Sequence, residues 1–330
     1  MMKVVLFLIL AGLWSSVLPA SLKQKIKDFE TANSLKSAVI LMDAVTGKIT
    51  FIYNEKLALT MPQPPGSLMK VFSAGTLLDH RVALGFKQNK NHNCKGHFHF
   101  KKKSSYEEQL LYNLDNNNYQ CSKRKGHGKL GLSQAIMVSC NSFFLSSAAK
   151  RAELFHQRLV TQWHLNKQLG ILPGNSRIQS YNAPVKAGWI PYSLSAIGEG
   201  YLVQVTPLKI SQLYGSLFSG QPIMSAAYNG RGKTLAAMPV SNKTRADLLF
   251  ALNLVTSQGT LKHIKAKPGI QILGGKTGSG TLVNKKFQTN GWAVIGFRHN
   301  KKLLVLTAFV NRGSGSREAA EVAQIALDSL

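Results

Sequence analysis

Three short polar motifs in a set order constrain this chain more than its composition does. They are Ser67-Leu68-Met69-Lys70, Ser139-Cys140-Asn141 and Lys276-Thr277-Gly278. Between them they supply a nucleophilic hydroxyl, an amine able to take its proton, a relay hydroxyl, and a cationic strand suited to holding a carboxylate. Acyl transfer through a covalent serine intermediate needs that set of groups.

Taken singly, two of the motifs are weak. Ser-x-x-Lys recurs at Ser122–Lys125 and Ser147–Lys150, and Ser-x-Asn recurs at Ser180–Asn182. Context separates the copies. Ser67 follows Pro64-Pro65-Gly66, and Val71, Ala74 and Leu78 then fall at helical spacing, so a turn delivers the chain into a buried helix just after the serine. Residues three apart share a helix face, which sets the Ser67 hydroxyl beside the Lys70 amine. The free amides of that first turn favour developing negative charge. Ser122 sits in a run of bases with no apolar face behind it, and Ser147 lies inside a helix-like stretch from Phe143 to Leu154. The bland reading of an isolated serine at such a place is a helix N-cap; the other two motifs argue against it here.

Gly274-Gly275 precede Lys276, and Gly280 follows Gly278 and Ser279, so glycines flank a short strand on both sides. Glycine in a strand marks close approach of a ligand or of other backbone. An ordinary edge-strand lysine is the competing reading. Segments 290–299 and 301–311 read as a hairpin turning near Asn300.

The chain resembles the transpeptidase domain of penicillin-binding proteins, which cross-link bacterial peptidoglycan. The likeness goes past the motifs: it takes in the run from Gly126-His127-Gly128 through Ala135–Phe144, the segment Ile197-Gly198-Glu199-Gly200-Tyr201 with Thr206-Pro207-Leu208, and the opening Leu41–Ile49. It extends from about residue 37 to the C-terminus and is closest to class B-type members. It implies the penicillin-recognising α/β (α+β) fold, an antiparallel sheet flanked by helices plus an all-helical lobe, with the site between the lobes. By the resemblance Ser67 is the acylated nucleophile, Lys70 its base and Ser139 the proton relay. Asn141 binds the peptide and helps place Lys70, while Lys276, Thr277 and Gly278 serve the donor carboxylate. The backbone amides of Ser67 and Ser279 form the oxyanion hole. A lysine acts as a base near neutral pH only if burial or a nearby cation lowers its pKa to roughly 7–8.

The function this implies is a serine D,D-transpeptidase acting on stem peptides, with β-lactams as inhibitors and no cofactor. The alternatives are a class D-like β-lactamase, a D,D-carboxypeptidase, and a non-catalytic β-lactam- or peptidoglycan-binding protein. A glutamate able to activate water is not evident, because Glu153 and Glu199 both lack the Glu-x-x-x-Asn context. A long-lived acyl-enzyme is therefore expected, favouring transfer to an amine over hydrolysis.

Residues 1–20 read as a signal peptide or short membrane anchor, a basic end followed by an apolar run. Export to the periplasm or the outer face of the inner membrane follows from that reading. Residues 21–330 are expected to form one transpeptidase-like domain, without the N-terminal pedestal module usual in class B-type relatives. A polar, basic insert at 87–129 would sit at the cleft rim. The formal net charge of +27 implies attraction to anionic wall polymers or a membrane surface, or serves solubility alone. Nucleic acid is disfavoured by the export signal and by the lack of interleaved Arg and aromatic residues.

In an oxidising compartment Cys94 and Cys121 are candidates for a disulfide closing the insert, and comparable cysteines in the family lend support. Reduced thiols and a zinc site remain alternatives, although Cys94-x-x-His97 with nothing paired downstream matches no familiar zinc spacing. Cys140 reads as a small packing residue. Other expected elements are a helix over 21–34, strands at 37–43 and 49–53, helical pattern from 132 to about 169, a loop over 173–191, and helices at 206–218, 245–255 and 316–330.

Overall fold

A computed structural model of the chain describes residues 20–101, 104–112, 114–166, 187–282 and 288–330. Helix α1 (20–33) buries Leu22, Ile26 and Phe29 and leaves its lysines in solvent, as its amphipathic spacing predicts. Strands β1 (Ser37–Asp43) and β2 (Ile49–Tyr53) pair antiparallel across a turn at Gly47. The leading segment 1–19 lies outside the described residues, so the signal or anchor reading remains a reading of sequence alone.

The helical part begins with α2 (Met69–Asp79). It continues through α3 (Leu132–Met137), α4 (Asn141–Ala148), α5 (Ala152–Gln162), α6 (Pro207–Ser219) and α7 (Asn242–Ser257). Four short strands in the insert pair off as two ribbons: β3 (His92–Cys94) with β6 (Gly128–Leu130), and β4 (His97–His99) with β5 (Asn118–Gln120). The chain then returns to the sheet with β7 (Ile270–Thr281), β8 (Thr289–His299) and β9 (Lys302–Val310), and closes with α8 (Glu318–Leu327).

The five long strands form one sheet in the order β2-β1-β9-β8-β7, every pair antiparallel. Asn300 and Lys301 connect β8 and β9 with left-handed angles (φ 47° and 62°), the two-residue turn whose twist suits a hairpin. Strands β8 and β9 are buried along nearly their whole length, which explains their continuous apolar sequence. Helix α6 packs on β9 and β1, where Ser211 Oγ donates to Thr307 Oγ1 at 2.8 Å. Helix α8 lies on β8 and β9 through Ala319, Val322 and Ala326. Helices α2 to α5 and α7, with the insert, build the second lobe, and β7 is the sheet edge that faces it.

Several elements differ from the sequence expectation. The strand carrying Lys276 is twelve residues long, not a short one, because pairing with β8 continues through its glycines. The helical run after residue 132 is cut by the loop at Ser139 and by a 3-10 turn at Ala149–Arg151; residues 167–169 of that expectation lie outside the described residues. The loop expected over 173–191 contains, in its described part, the start of a helix at Trp189–Leu194. Pro191 sits in its first turn, where a missing N–H is not missed. The insert also holds a helix at Tyr106–Leu111, started by a capping box between Ser105 and Glu108.

Trp292 of β8 ties the sheet to the segment before Ser67. It is fully buried, its ring packs edge-on against Phe309 at 4.6 Å, and its Nε1 donates to Pro64 O at 2.9 Å. Trp292→Ala should cost about 3–5 kcal/mol of unfolding free energy, read from the urea midpoint at unchanged slope.

Candidate active site

Ser67 lies in a single 3-10 turn, Gly66–Leu68, that runs straight into α2. Gly66 has φ +53°, and a Cβ there would lie 2.2 Å from the carbonyl oxygen of Ser279. Its N–H donates to Gly198 O at 3.0 Å. The turn is thus wedged between β7 and the Gly198 segment, a fit that only a glycine allows. One turn further on, Lys70 is completely buried.

The Lys70 amine joins the first two motifs. Its Nζ is 2.8 Å from Ser67 Oγ, 2.7 Å from Ser139 O, 3.1 Å from Ser139 Oγ and 2.6 Å from Asn141 Oδ1. Asn141 Nδ2 donates to Gln120 O at 2.7 Å, which turns the amide oxygen towards Lys70. The two shortest contacts go to oxygens that can only accept. A neutral amine has two N–H bonds for them and keeps its lone pair for the Ser67 hydroxyl proton. Burial pulls the Lys70 pKa down to about 8, against weaker upward pulls from Cys121, Cys140 and Glu199.

Lys276 enters from β7, also completely buried. Its Nζ donates to Ser139 Oγ at 3.0 Å and to Thr277 O at 2.7 Å. Burial, and then the charge of Lys70, push its pKa well below the usual lysine value. Ser139 Oγ therefore bridges the two amines. Thr277 Oγ1 is 2.7 Å from Thr260 Oγ1 on the loop after α7.

Ser139 reaches this position through an unusual backbone. Helix α3 ends in a paired closing motif, with Ser139 N–H donating to Ile136 O (3.2 Å) and Cys140 N–H donating to Ala135 O (2.9 Å). The residue at that bend adopts left-handed angles and is normally glycine; here it is Ser139, at φ +57°. For a residue with a Cβ that costs roughly 1–2 kcal/mol.

An open cleft of about 830 Å³ runs between the lobes, and Ser67, Ser139, Asn141, Thr277, Gly278 and Ser279 all line it. Lys70 and Lys276 stand behind that wall. The far rim comes from the insert, including Tyr119, Gln120 and Arg124, where the sequence expectation put the insert. The decoy Ser122 lies on the same rim, Ser147 is spent on a bond to Phe143 O, and Ser180 lies outside the described residues.

Sequence reasoning set Glu199 aside, and the structure brings it into the cleft. Burial raises its pKa to about 7, opposed by bonds from the amide of Thr281 (3.0 Å to Oε2), by Lys70 and by Tyr119. The bracketing glycines Gly198 and Gly200 were the available signal. Glu153, the other candidate, is exposed on α5. Thr260 had no signal at all.

Of the alternatives for the cysteines, the structure shows the reduced form and no Cys94–Cys121 bond. Cys94 and Cys121 are free thiols with sulfurs 3.7 Å apart, against about 2.05 Å in a disulfide. Cys140 is buried as expected, but its sulfur faces Cys121 at 3.9 Å instead of merely filling space.

The family model of the penicillin binding protein transpeptidase domain matches residues 37–328. The chain belongs to this family. It is a penicillin-binding transpeptidase domain, an acyl-transferase of peptidoglycan whose family binds β-lactams. No curated protein matches it in sequence. Among solved structures, the transpeptidase domain of penicillin-binding protein 3 from Burkholderia pseudomallei superposes with TM-score 0.72 at 17% identity, covering 95% of this chain and 93% of that one. A peptidoglycan glycosyltransferase from Burkholderia ambifaria gives 0.72 at 18%, covering 95% of each chain. PBPA from Mycobacterium tuberculosis gives 0.68 at 15%, covering 89% and 74%. At these identities the likeness establishes the penicillin-recognising fold.

The strained bend yields a paired prediction. Ser139→Gly and Ser139→Ala both remove the hydroxyl and should both slow acylation by penicillin. Ser139→Gly should nonetheless unfold at higher urea, by about 1 kcal/mol, because glycine suits the left-handed bend. Equal stabilities would count against backbone strain at this position.

Proposed function

We propose that the protein is a serine D,D-transpeptidase that acylates Ser67 with D-Ala-D-Ala stem peptides outside the cytoplasm. The contacts of Lys70, a buried amine touching Ser67, Ser139 and Asn141 at once, carry this reading. In the first half-reaction Ser67 Oγ attacks the penultimate carbonyl while Lys70 takes its proton. The amides of Ser67 and Ser279 stabilise the tetrahedral oxyanion, each donor worth about 10²–10³ in rate. Lys276 and Thr277 bind the terminal carboxylate, which supplies the negative charge that two neighbouring buried lysines lack. Ser139 passes the proton to the departing D-alanine amine, leaving an ester on Ser67. An acceptor amine then attacks that ester, and Ser67 regains its proton. The high positive charge would hold the enzyme near anionic wall polymers or a membrane surface.

Glu199 favours a second reading, hydrolysis of the acyl-enzyme. A carboxyl with a pKa of about 7 on the same cleft wall could take a proton from water and make the enzyme a D,D-carboxypeptidase.

Fluorescent penicillin should form a lasting adduct on the wild type and none on Ser67→Ala, followed by intact mass; an equal adduct on both would sink the nucleophile assignment. The active form of Lys70 is the neutral one. With its pKa lowered to about 8, the acylation rate should rise nearly tenfold per unit below that pH and level off above it. A profile flat from pH 6 to 9 would remove Lys70 as the base. Glu199→Gln should lengthen the adduct's lifetime if hydrolysis competes, and leave it unchanged if transfer alone operates.

A further inference from the structure

At the wall that carries Ser139 and Asn141, where Cys121 also lines the cleft, four separate segments bring metal-binding atoms together. Cys94 ends β3, Cys121 follows β5, His127 precedes β6, and Cys140 lies inside the second motif. Cys94 Sγ is 3.4 Å from His127 Nδ1 and 3.7 Å from Cys121 Sγ, which is 3.9 Å from Cys140 Sγ. All four atoms lie within 4.8 Å of one another.

The three pair distances fit tetrahedral coordination, and the remaining pairs fall within 4.8 Å. A tetrahedral zinc with Zn–S of about 2.3 Å and Zn–N of about 2.0–2.1 Å sets its sulfurs about 3.8 Å apart and each sulfur about 3.6 Å from the nitrogen. A Cys94–Cys121 disulfide would need those sulfurs to close to about 2.05 Å, and would leave Cys140 and His127 without a role.

The surrounding backbone is arranged for anionic sulfur. Gly96 N–H donates to Cys94 Sγ (3.5 Å), Ser142 N–H to Cys121 Sγ (3.3 Å), and Phe143 N–H to Cys140. Each thiolate would thus accept an amide, the kind of outer contact that orients and tunes metal ligands. The loops holding Cys94 and His127 are pressed together: Gly126 has φ +87°, and a Cβ there would strike Cys94 O at 2.1 Å. Cys121 N–H also donates to Gly96 O at 2.7 Å.

We propose that Cys94, Cys121, Cys140 and His127 Nδ1 form a closed zinc site, and that the bound metal holds the Ser139-Cys140-Asn141 loop in its strained, left-handed bend. Four protein ligands leave no open position, which makes the site structural. Binding displaces the three thiol protons and takes the neutral imidazole. Cys140 acts as a positioning residue for its neighbours; what the bend is held for rests on the catalytic reading above, whereas metal binding does not.

The test uses the full chain, purified under reducing conditions without chelator. Elemental analysis should find about one zinc per chain, and exchange with Co²⁺ should produce a thiolate-to-cobalt charge-transfer band with intense tetrahedral visible bands. His127→Ala should weaken zinc affinity at least tenfold, whereas His127→Cys, which keeps four ligands, should retain zinc and the cobalt spectrum. Stripping zinc should lose amide hydrogen-exchange protection over residues 132–142 and slow fluorescent penicillin labelling roughly tenfold or more, both restored by zinc. Protein that refuses zinc and Co²⁺ and is two hydrogens lighter through a Cys94–Cys121 bond overturns the site. Unchanged exchange protection after stripping overturns the holding role. A zinc-loaded, protected chain that never labels would instead overturn the catalytic reading and leave the metal site standing.

Discussion

The burial of one amine organises this molecule. Among the described residues no carboxylate is bonded to the buried Lys70, so burial penalises its protonated form and brings its pKa down to about 8. Every nearby element serves that arrangement. Helix α2 fixes the amine three residues after Ser67, α3 ends so that Ser139 presents both its carbonyl and its hydroxyl, and α4 begins with the amide of Asn141. Strand β7 brings a second buried amine to the same hydroxyl. The charge of Lys70, added to burial, makes Lys276 harder to protonate.

That arrangement is expensive locally. Two buried lysines, a buried glutamate and a serine in a glycine's backbone conformation all work against folding. The sheet and its covering helices offset this with the long, largely buried strands β8 and β9 and a well-packed face on α6 and α8. Trp292 and Gly66 transmit that rigidity to the reactive turn, one by anchoring the chain before Ser67 and the other by locking it against β7. The loop at Ser139 meets the sheet at Lys276 and leans on the short strands of the insert through Asn141 and Gln120. A metal at the three cysteines and His127 would give that loop an anchor of its own.

Much of the architecture was legible because it follows from local rules. The alternation and turn chemistry of 37–53, the apolar hairpin at 290–311, and the Thr206-Pro207 helix start all depend on near neighbours. The three motifs were also legible, since their chemistry is tied to residue type and their context to nearby turns and glycines. The place of Glu199 in the cleft was not legible for a different reason: it depends on which wall its carboxyl faces, and the sequence around it gives only two glycines. The convergence of the cysteines with His127 was not legible because a spacing rule looks for ligands close in sequence, whereas these four residues come from four segments.

By itself, the sequence determined the kind of chemistry and the order of its parts: a serine and a lysine on one helix face, a second serine, a cationic strand, and the apolar strands to carry them. Residue identity and short-range periodicity are enough for that. Only the tertiary structure decided that Lys70 is buried rather than solvated, that Ser139 bridges two amines, and that Glu199 enters the cleft. It also decided that three sulfurs and an imidazole converge behind the second motif. Desolvation and convergence arise where segments distant in the chain meet, and no local pattern encodes the distance between them.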